Sequence, residues 1–274
     1  DVVISCGGYV AGPVGWVATK IGIPLIIQEQ NSFPGVTNRM LGKNAEIIFT
    51  AFDDAENYFP KKKIQLAGNP TRKSLSQVNR NDALQAFDFS NDKKTLLILG
   101  GSGGAKSINE AMQKHIERLH NDLGLQIIWQ CGKRYYDKLR KDVTPQNFEH
   151  LRLKDFIHDM PAAYASADLV ISRAGALSCT ELLLTAKPIM LLPSPNVAGN
   201  HKTKNAHSLV ANGAAKLVAD DELEKSFANV VKEIIDDEHQ LNEMRKAAKN
   251  LARPKAAEEI ATETLKLITK KKQN

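Results

Sequence analysis

Seven residues, Gly175-Ala176-Leu177-Ser178-Cys179-Thr180-Glu181, bring small side chains, a hydroxyl and an acid to one turn of the chain. They follow Leu169-Val170-Ile171-Ser172, an apolar run that reads as a buried strand, and they lead into a helical stretch from Thr180 to Thr185. Small residues at a strand-to-helix turn let backbone N–H groups approach an anion at the positive helix end. Glu181 lies three residues after Ser178, so both can project from one face, the carboxylate gripping a ribose diol while the turn faces phosphate. An ordinary βα turn with an acid near the helix start has the same residues. Alone, the stretch is a hint of a nucleotide pocket.

A second turn strengthens it. Thr95-Leu96-Leu97-Ile98-Leu99 reads as a buried strand, followed by Gly100-Gly101-Ser102-Gly103-Gly104-Ala105 and a helix with Ile108, Met112, Ile116 and Leu119 on one side. Glycines permit positive φ and close approach of a ligand, and the Ser102 hydroxyl can donate to a phosphate oxygen. No Lys-Ser/Thr pair closes the loop as in a Walker motif, and no acid about 20 residues on completes a dinucleotide fingerprint. The loop favours a phosphate ligand over a nicotinamide cofactor.

The elements that must hold these turns are regular. Strand-like runs at Val2–Ser5, Pro24–Gln28, Glu46–Phe49 and Ile64–Ala67 form a first group, with a helix from about Pro13 to Gly22 whose inner side would carry Trp16 and Val17. Gly68-Asn69-Pro70 breaks the pattern as an interdomain hinge. A second group runs through Thr95–Leu99, Gln126–Gln130, Leu151–Leu153, Leu169–Ser172, Ile189–Pro193 and Ala214–Val218. Its strands alternate with helical patterns, which implies a doubly wound parallel sheet with ligands beyond the carboxyl ends of its strands. Helices are expected at Leu223–Asp236, Glu238–Leu251 and Lys255–Thr269.

Composition bounds the rest. The 274 residues can bury two cores, and 42% hydrophobic with 25% charged residues is the make-up of an ordinary globular protein. No apolar run approaches the ~20 residues of a membrane span. Cys6, Cys131 and Cys179 have no metal-ligand spacing and read as small buried hydrophobes. The net charge of +6, densest at Lys61-Lys62-Lys63 and Lys270-Lys271-Lys272, suits nucleic acid or an anionic membrane leaflet. The absence of an interleaved aromatic platform argues against nucleic acid.

Seven motifs in register resemble the MurG family of bacterial peptidoglycan glycosyltransferases, from residue 1 to about residue 255. They are Gly7-Gly8-Tyr9-Val10-Ala11-Gly12-Pro13; Gln28-Glu29-Gln30-Asn31; Gly68-Asn69-Pro70-Thr71-Arg72; the Gly100–Ala105 loop; Phe156-Ile157-His158-Asp159-Met160; Ser172–Ser178 with Glu181; and Asn200-His201-Lys202-Thr203-Lys204-Asn205-Ala206. The resemblance implies an α/β fold of two Rossmann-like doubly wound domains, the GT-B type. Residues 1–72 would be the remainder of the acceptor- and membrane-side domain, 73–251 the UDP-sugar domain, and 252–274 a final helix and basic tail. It implies metal- and cofactor-independent, inverting transfer of N-acetylglucosamine from UDP-N-acetylglucosamine to the 4-hydroxyl of lipid I, the undecaprenyl-linked muramoyl-pentapeptide, at the cytoplasmic face of the cell membrane. By resemblance, Ile157 would pair with uracil through its backbone beside Phe156, and Glu181 would bind the ribose hydroxyls. Ser102 and the turn Ala176-Leu177-Ser178 would hold the diphosphate, with Arg72 near the nucleotide. Asn31 and the segment His201-Lys202 to Asn205 would face the sugar, and Tyr9 would shape the acceptor side.

Departures from the family pattern are specific. Gln28 stands where a His is frequent, Ser178 where Thr is, and Lys202 where a sugar-contacting Gln is typical, so an acceptor is lost there and a charge added. The family's first Gly-rich loop, with the His favoured as base, would lie upstream of Asp1. The expectation is therefore a first domain that begins upstream, and UDP binding without appreciable transfer from these residues alone. His158, His201 and His207 are weaker base candidates. Competing readings are a diacylglycerol glycosyltransferase, a hydrolysing UDP-N-acetylglucosamine 2-epimerase, which needs paired carboxylates and has only Glu29 besides Glu181, and a non-catalytic UDP-sugar binder.

Overall fold

The computed structural model describes residues 1–192, 201–219 and 223–272, without the side chains of residues 145, 201, 224, 271 and 272. Its first half is built from β1 (Val3–Ser5), α1 (Ala11–Lys20), β2 (Leu25–Glu29), α2 (Val36–Gly42), β3 (Ile47–Thr50) and β4 (Ile64–Leu66). These strands lie parallel in the order β1-β2-β3-β4, with Ile4 opposite Ile26 and Ile27 opposite Ile48. Every residue of β2 is buried because both faces of the sheet are covered. Leu25 and Ile27 pack with Leu41, Ile48 and Phe59 on one side; Ile26 packs with Phe49, Ala67 and Ile260 on the other.

After α3 (Arg80–Ala86) comes the second sheet. Its elements are β5 (Thr95–Leu99), α4 (Lys106–Glu117), β6 (Gln126–Gln130), α5 (Lys133–Asp142), β7 (Leu151–Lys154), α6 (Met160–Ser166), β8 (Leu169–Ser172), α7 (Ala176–Leu184), β9 (Ile189–Leu191), α8 (His201–Ala211) and β10 (Ala215–Leu217). Three helices follow: α9 (Leu223–Asp236), α10 (Glu238–Leu251) and α11 (Ala256–Lys272). The parallel strand order is β10-β9-β8-β5-β6-β7. The order therefore reverses between β5 and β8, which opens a crevice beyond their carboxyl ends. Alternation along β5 divides the core. Leu96 and Ile98 meet α4 and α9 through Ile108, Met112 and Phe227, whereas Leu97 and Leu99 meet Tyr164, Leu182 and Leu183 of α6 and α7.

The expected strands match to within two residues at each end, with Pro193 of the expected Ile189–Pro193 outside the described residues, but two helices differ. α1 turns Gly15 and Ala18 inward and leaves Trp16 and Val17 exposed, the reverse of the expectation. The cause is close packing: a Cβ on Gly15 would sit 2.7 Å from Leu41 Cδ1, so only the smallest side chains fit that face. α7 begins four residues early, at Ala176, with Gly175 as its N-cap. Its first free N–H groups are thus those of the Ala176-Leu177-Ser178 turn, and Glu181 stands in the second turn.

The chain crosses between the halves twice, at one place. Gly68, at φ +91°, packs so tightly that a Cβ there would lie 2.5 Å from Cβ of Arg253, on the return crossing. α11 then lies on the first sheet, with Ile260 against Ile26, Phe49 and Ala67.

Candidate functional site

The glycine loop after β5 owes its shape to a neighbouring turn. Gly104 (φ +78°) and Gly132 (φ +89°) meet backbone to backbone: a Cβ on Gly132 would lie 2.2 Å from the Gly104 nitrogen, and one on Gly104 would lie 2.3 Å from the Cys131 carbonyl oxygen. Gly100 N–H donates to the Gln130 carbonyl and Gly104 N–H to that of Gly101. The loop is thereby folded at the carboxyl end of β5, beside the N-terminus of α7 at the end of β8.

A cleft of about 390 Å³ opens there. The glycine loop contributes Gly100 and Gly101, α7 and its cap contribute Gly175, Ser178 and Glu181, and the loop before α6 contributes Phe156 and Ile157. Arg72 from the hinge and Lys202 from α8 line it as well. The free N–H groups of a helix start, a hydroxyl and three cations, Arg173 being the third, make an anion cradle. A carboxylate, an acceptor of hydroxyl hydrogen bonds, faces the same space.

Not every expected residue reaches this cleft. Ser102 is exposed on the loop above, and Ala176 and Leu177 form the first turn of α7 without lining the space. Asn31 and Asn205 are brought to each other instead. Asn205, fully buried, donates to Asn31 Oδ1 (3.2 Å) and accepts from Ser32 N–H (2.9 Å), while Asn31 also donates to Glu29. These bonds knit the two halves together, and the Asn205 amide also donates to the Ala174 carbonyl beside α7 (3.4 Å). Ile157 has its N–H bound to Gln130 Oε1 (2.9 Å), which leaves its carbonyl as the backbone group for a ligand. Tyr9 is exposed at the start of α1. His201 opens α8, its side chain outside the described residues, as is the segment 193–200 before it. His158 is exposed, edge-on to Phe156 at 5.1 Å, and His207 is exposed on α8.

Two cleft residues were not anticipated from the sequence. Gln130 ends β6, so its position at a strand carboxyl end was a usable signal. Tyr164 lies in an alanine-rich run that reads as core, and it is core: almost wholly buried, it reaches the site only by its hydroxyl, which donates to Glu181 Oε2 (2.9 Å). Burial first, then the Glu181 charge, push the Tyr164 phenol far above its ordinary pKa.

Glu29, the other carboxylate considered, is buried and saturated. Its two oxygens accept from Asn31 N–H and side chain and from Gly35 N–H and the Asn38 side chain. Among the described residues, no group of three or more His, Cys, Asp or Glu side chains could hold a metal ion.

Comparison with known proteins agrees with this architecture. Residues 1–50 match the glycosyltransferase family 28 N-terminal domain and residues 95–260 its C-terminal domain. A Christiangramia forsetii relative, named UDP-N-acetylglucosamine–N-acetylmuramyl-(pentapeptide) pyrophosphoryl-undecaprenol N-acetylglucosamine transferase, is 44% identical over 99% of this chain and 73% of its own length. The crystal structure of Acinetobacter baumannii MurG superimposes with a TM-score of 0.78 at 32% identity, over 97% of this chain and 73% of that one. A Neisseria meningitidis UDP-GlcNAc 2-epimerase bound to UDP-GlcNAc shares the fold alone, at 16% identity and a TM-score of 0.68 over 97% and 76% of the two chains. Two parallel α/β sheets joined at a hinge, with the anion cradle at the switch point of the second, are the GT-B arrangement, and the chain belongs to glycosyltransferase family 28.

Proposed function

We propose that this chain transfers N-acetylglucosamine from UDP-N-acetylglucosamine to the 4-hydroxyl of the muramoyl sugar of lipid I, giving lipid II. The observation that carries the reading is one cleft in which a helix N-terminus and a glycine loop stand beside a free carboxylate. Those are the two requirements of a ribonucleoside diphosphate, an anion cradle and a diol acceptor.

In this reading Glu181 takes the ribose hydroxyls, the Ile157 carbonyl takes the uracil imide N–H, and Phe156 flanks the base. The diphosphate lies against Ser178 and the N–H groups that open α7, with Gly101 and Ser102 above and Arg72 and Lys202 as countercharges. The acceptor hydroxyl attacks C1 in line, the bond from C1 to the diphosphate oxygen breaks, and the anomeric centre inverts. The proton passes to a base on the acceptor side. Each donor aimed at the leaving oxygens is worth ~3 kcal/mol in the transition state. Residues 1–72 serve the acceptor and membrane side, 73–251 the nucleotide sugar, and 252–274 close the chain.

The 2-epimerase reading needs a second free carboxylate, and Glu29 is occupied by its own loop. Incubation with radiolabelled UDP-N-acetylglucosamine and lipid I separates the two. Any labelled product is expected to be lipid II; a free 2-epimer overturns the proposal.

We also infer peripheral attachment to the cytoplasmic membrane face. Among the described residues no helix is long and apolar enough to cross a membrane, but α1 exposes Val14, Trp16 and Val17, flanked by Tyr9, Val10 and Ile21, beside Lys20. An apolar patch edged by a basic residue suits an anionic interface. Flotation with anionic liposomes is expected to exceed that with neutral ones; equal flotation excludes the electrostatic part.

A further inference from the structure

A carboxylate on a helix surface ordinarily samples several rotamers, and a ligand that needs it in one of them loses affinity by that freedom. Glu181 is restrained. It projects from the second turn of α7 and is met by Tyr164 of α6, the helix that follows the Phe156–His158 loop. The Tyr164 ring is locked in the core with Leu97, Ile128 and Leu183, so its hydroxyl is a fixed point. The raised pKa keeps that hydroxyl protonated, a donor, throughout the working pH range. Arg72, across the cleft wall, is near enough for its charge to act on the phenol.

We propose that Tyr164 is a positioning residue for ribose recognition: by donating to Glu181 Oε2 it fixes the carboxylate, leaving Oε1 and the second lone pair of Oε2 for two vicinal hydroxyls. The proposal rests on the reading of Glu181 as the ribose acceptor. It adds that discrimination between ribose and deoxyribose is set by a buried phenol that touches no substrate. It also ties the two walls of the nucleoside pocket, because the helix that begins beside the base-contacting loop holds the ribose-contacting carboxylate.

Tyr164→Phe removes one oxygen and keeps the ring, so the packing of α6 survives; an unchanged melting temperature within a few degrees verifies this. The readout is calorimetric affinity for UDP and for 2′,3′-dideoxyuridine diphosphate. The variant is expected to bind UDP about tenfold more weakly while the dideoxy compound is unaffected, so the ratio between them collapses. A parallel loss for both compounds, or no loss for either, overturns the proposal, the first because a merely structural role weakens both alike. Glu181→Ala separates the two levels. If it collapses the ratio while Tyr164→Phe does not, the positioning role fails and the ribose reading stands; if it leaves the ratio intact, the ribose reading fails and the positioning role with it.

Discussion

Glu181 is the residue on which nucleotide recognition turns, because it is the carboxylate that lines the cleft. Charged-acceptor hydrogen bonds to two hydroxyls contribute ~1.5–3 kcal/mol, so Glu181→Ala is expected to weaken UDP-N-acetylglucosamine binding by roughly ten- to a hundredfold. Glu181→Gln keeps one acceptor oxygen and should lose less. Titration calorimetry of both variants checks this, and an alanine variant with unchanged affinity would remove Glu181 from the site. The three cysteines diverge in the same residue-level way. Burial pushes the Cys131 thiol up to about 11 and the Cys179 thiol up to about 12, whereas Cys6 is exposed. An aromatic disulfide reagent at pH 8 should therefore titrate one thiol in the native protein and three in denaturant. Three fast thiols under native conditions would contradict the packing around β6 and α7.

At the scale of elements, the anion cradle depends on two turns that share one space. Gly132→Ala would combine a positive φ with a contact of 2.2 Å on the Gly104 backbone, so strain and displacement of the glycine loop add. A loss of about 3 kcal/mol is expected, which for a protein of this size lowers the melting temperature by roughly 6–12 °C, and UDP affinity should fall with it. Gly124→Ala is the control. It also has positive φ (+62°) but nothing within 4 Å, so it should cost only about 1 kcal/mol and leave UDP binding alone. Equal effects from the two substitutions would show that backbone conformation, not contact between the turns, sets the stability of the loop.

At the scale of the whole molecule, the two halves are held by amides. Asn69, fully buried in the hinge, accepts from Gln28 (2.8 Å) and donates to the Gln30 carbonyl (3.1 Å) and to Thr180 Oγ1 (3.0 Å) in α7. It joins the first sheet, the crossing and the helix that carries Ser178 and Glu181. Asn69→Ala strands the buried Gln28 on one side and the half-buried Thr180 on the other and is expected to cost about 2–4 kcal/mol. Thermal unfolding gives the loss, and limited proteolysis should show faster cleavage at the crossing. A variant as stable and as resistant as the parent would mean that water takes over these bonds and that the hinge is held elsewhere.

The sequence determined the elements and much of the chemistry. Apolar runs such as Thr95–Leu99 and Leu169–Ser172 read as buried parallel strands because both faces of the sheet are covered, and the glycine and small-residue turns at their carboxyl ends marked the ligand side. Which side of α1 faces inward was decided by the tertiary structure, because a 2.7 Å approach at Gly15 outweighs the pull to bury Trp16. The fates of Asn205, Glu29 and Tyr164 were decided there too. An amide and a carboxylate look alike as candidates in sequence, a phenol in an alanine-rich run is not marked out at all, and only the partners folded against them assign their roles. Asn205 was taken by Asn31 and Ser32, Glu29 by its own loop, and Tyr164 was turned toward Glu181. Hydrogen-bond partners such as Asn31 and Asn205, 174 positions apart, are set by how elements stack, and local periodicity carries no record of that stacking.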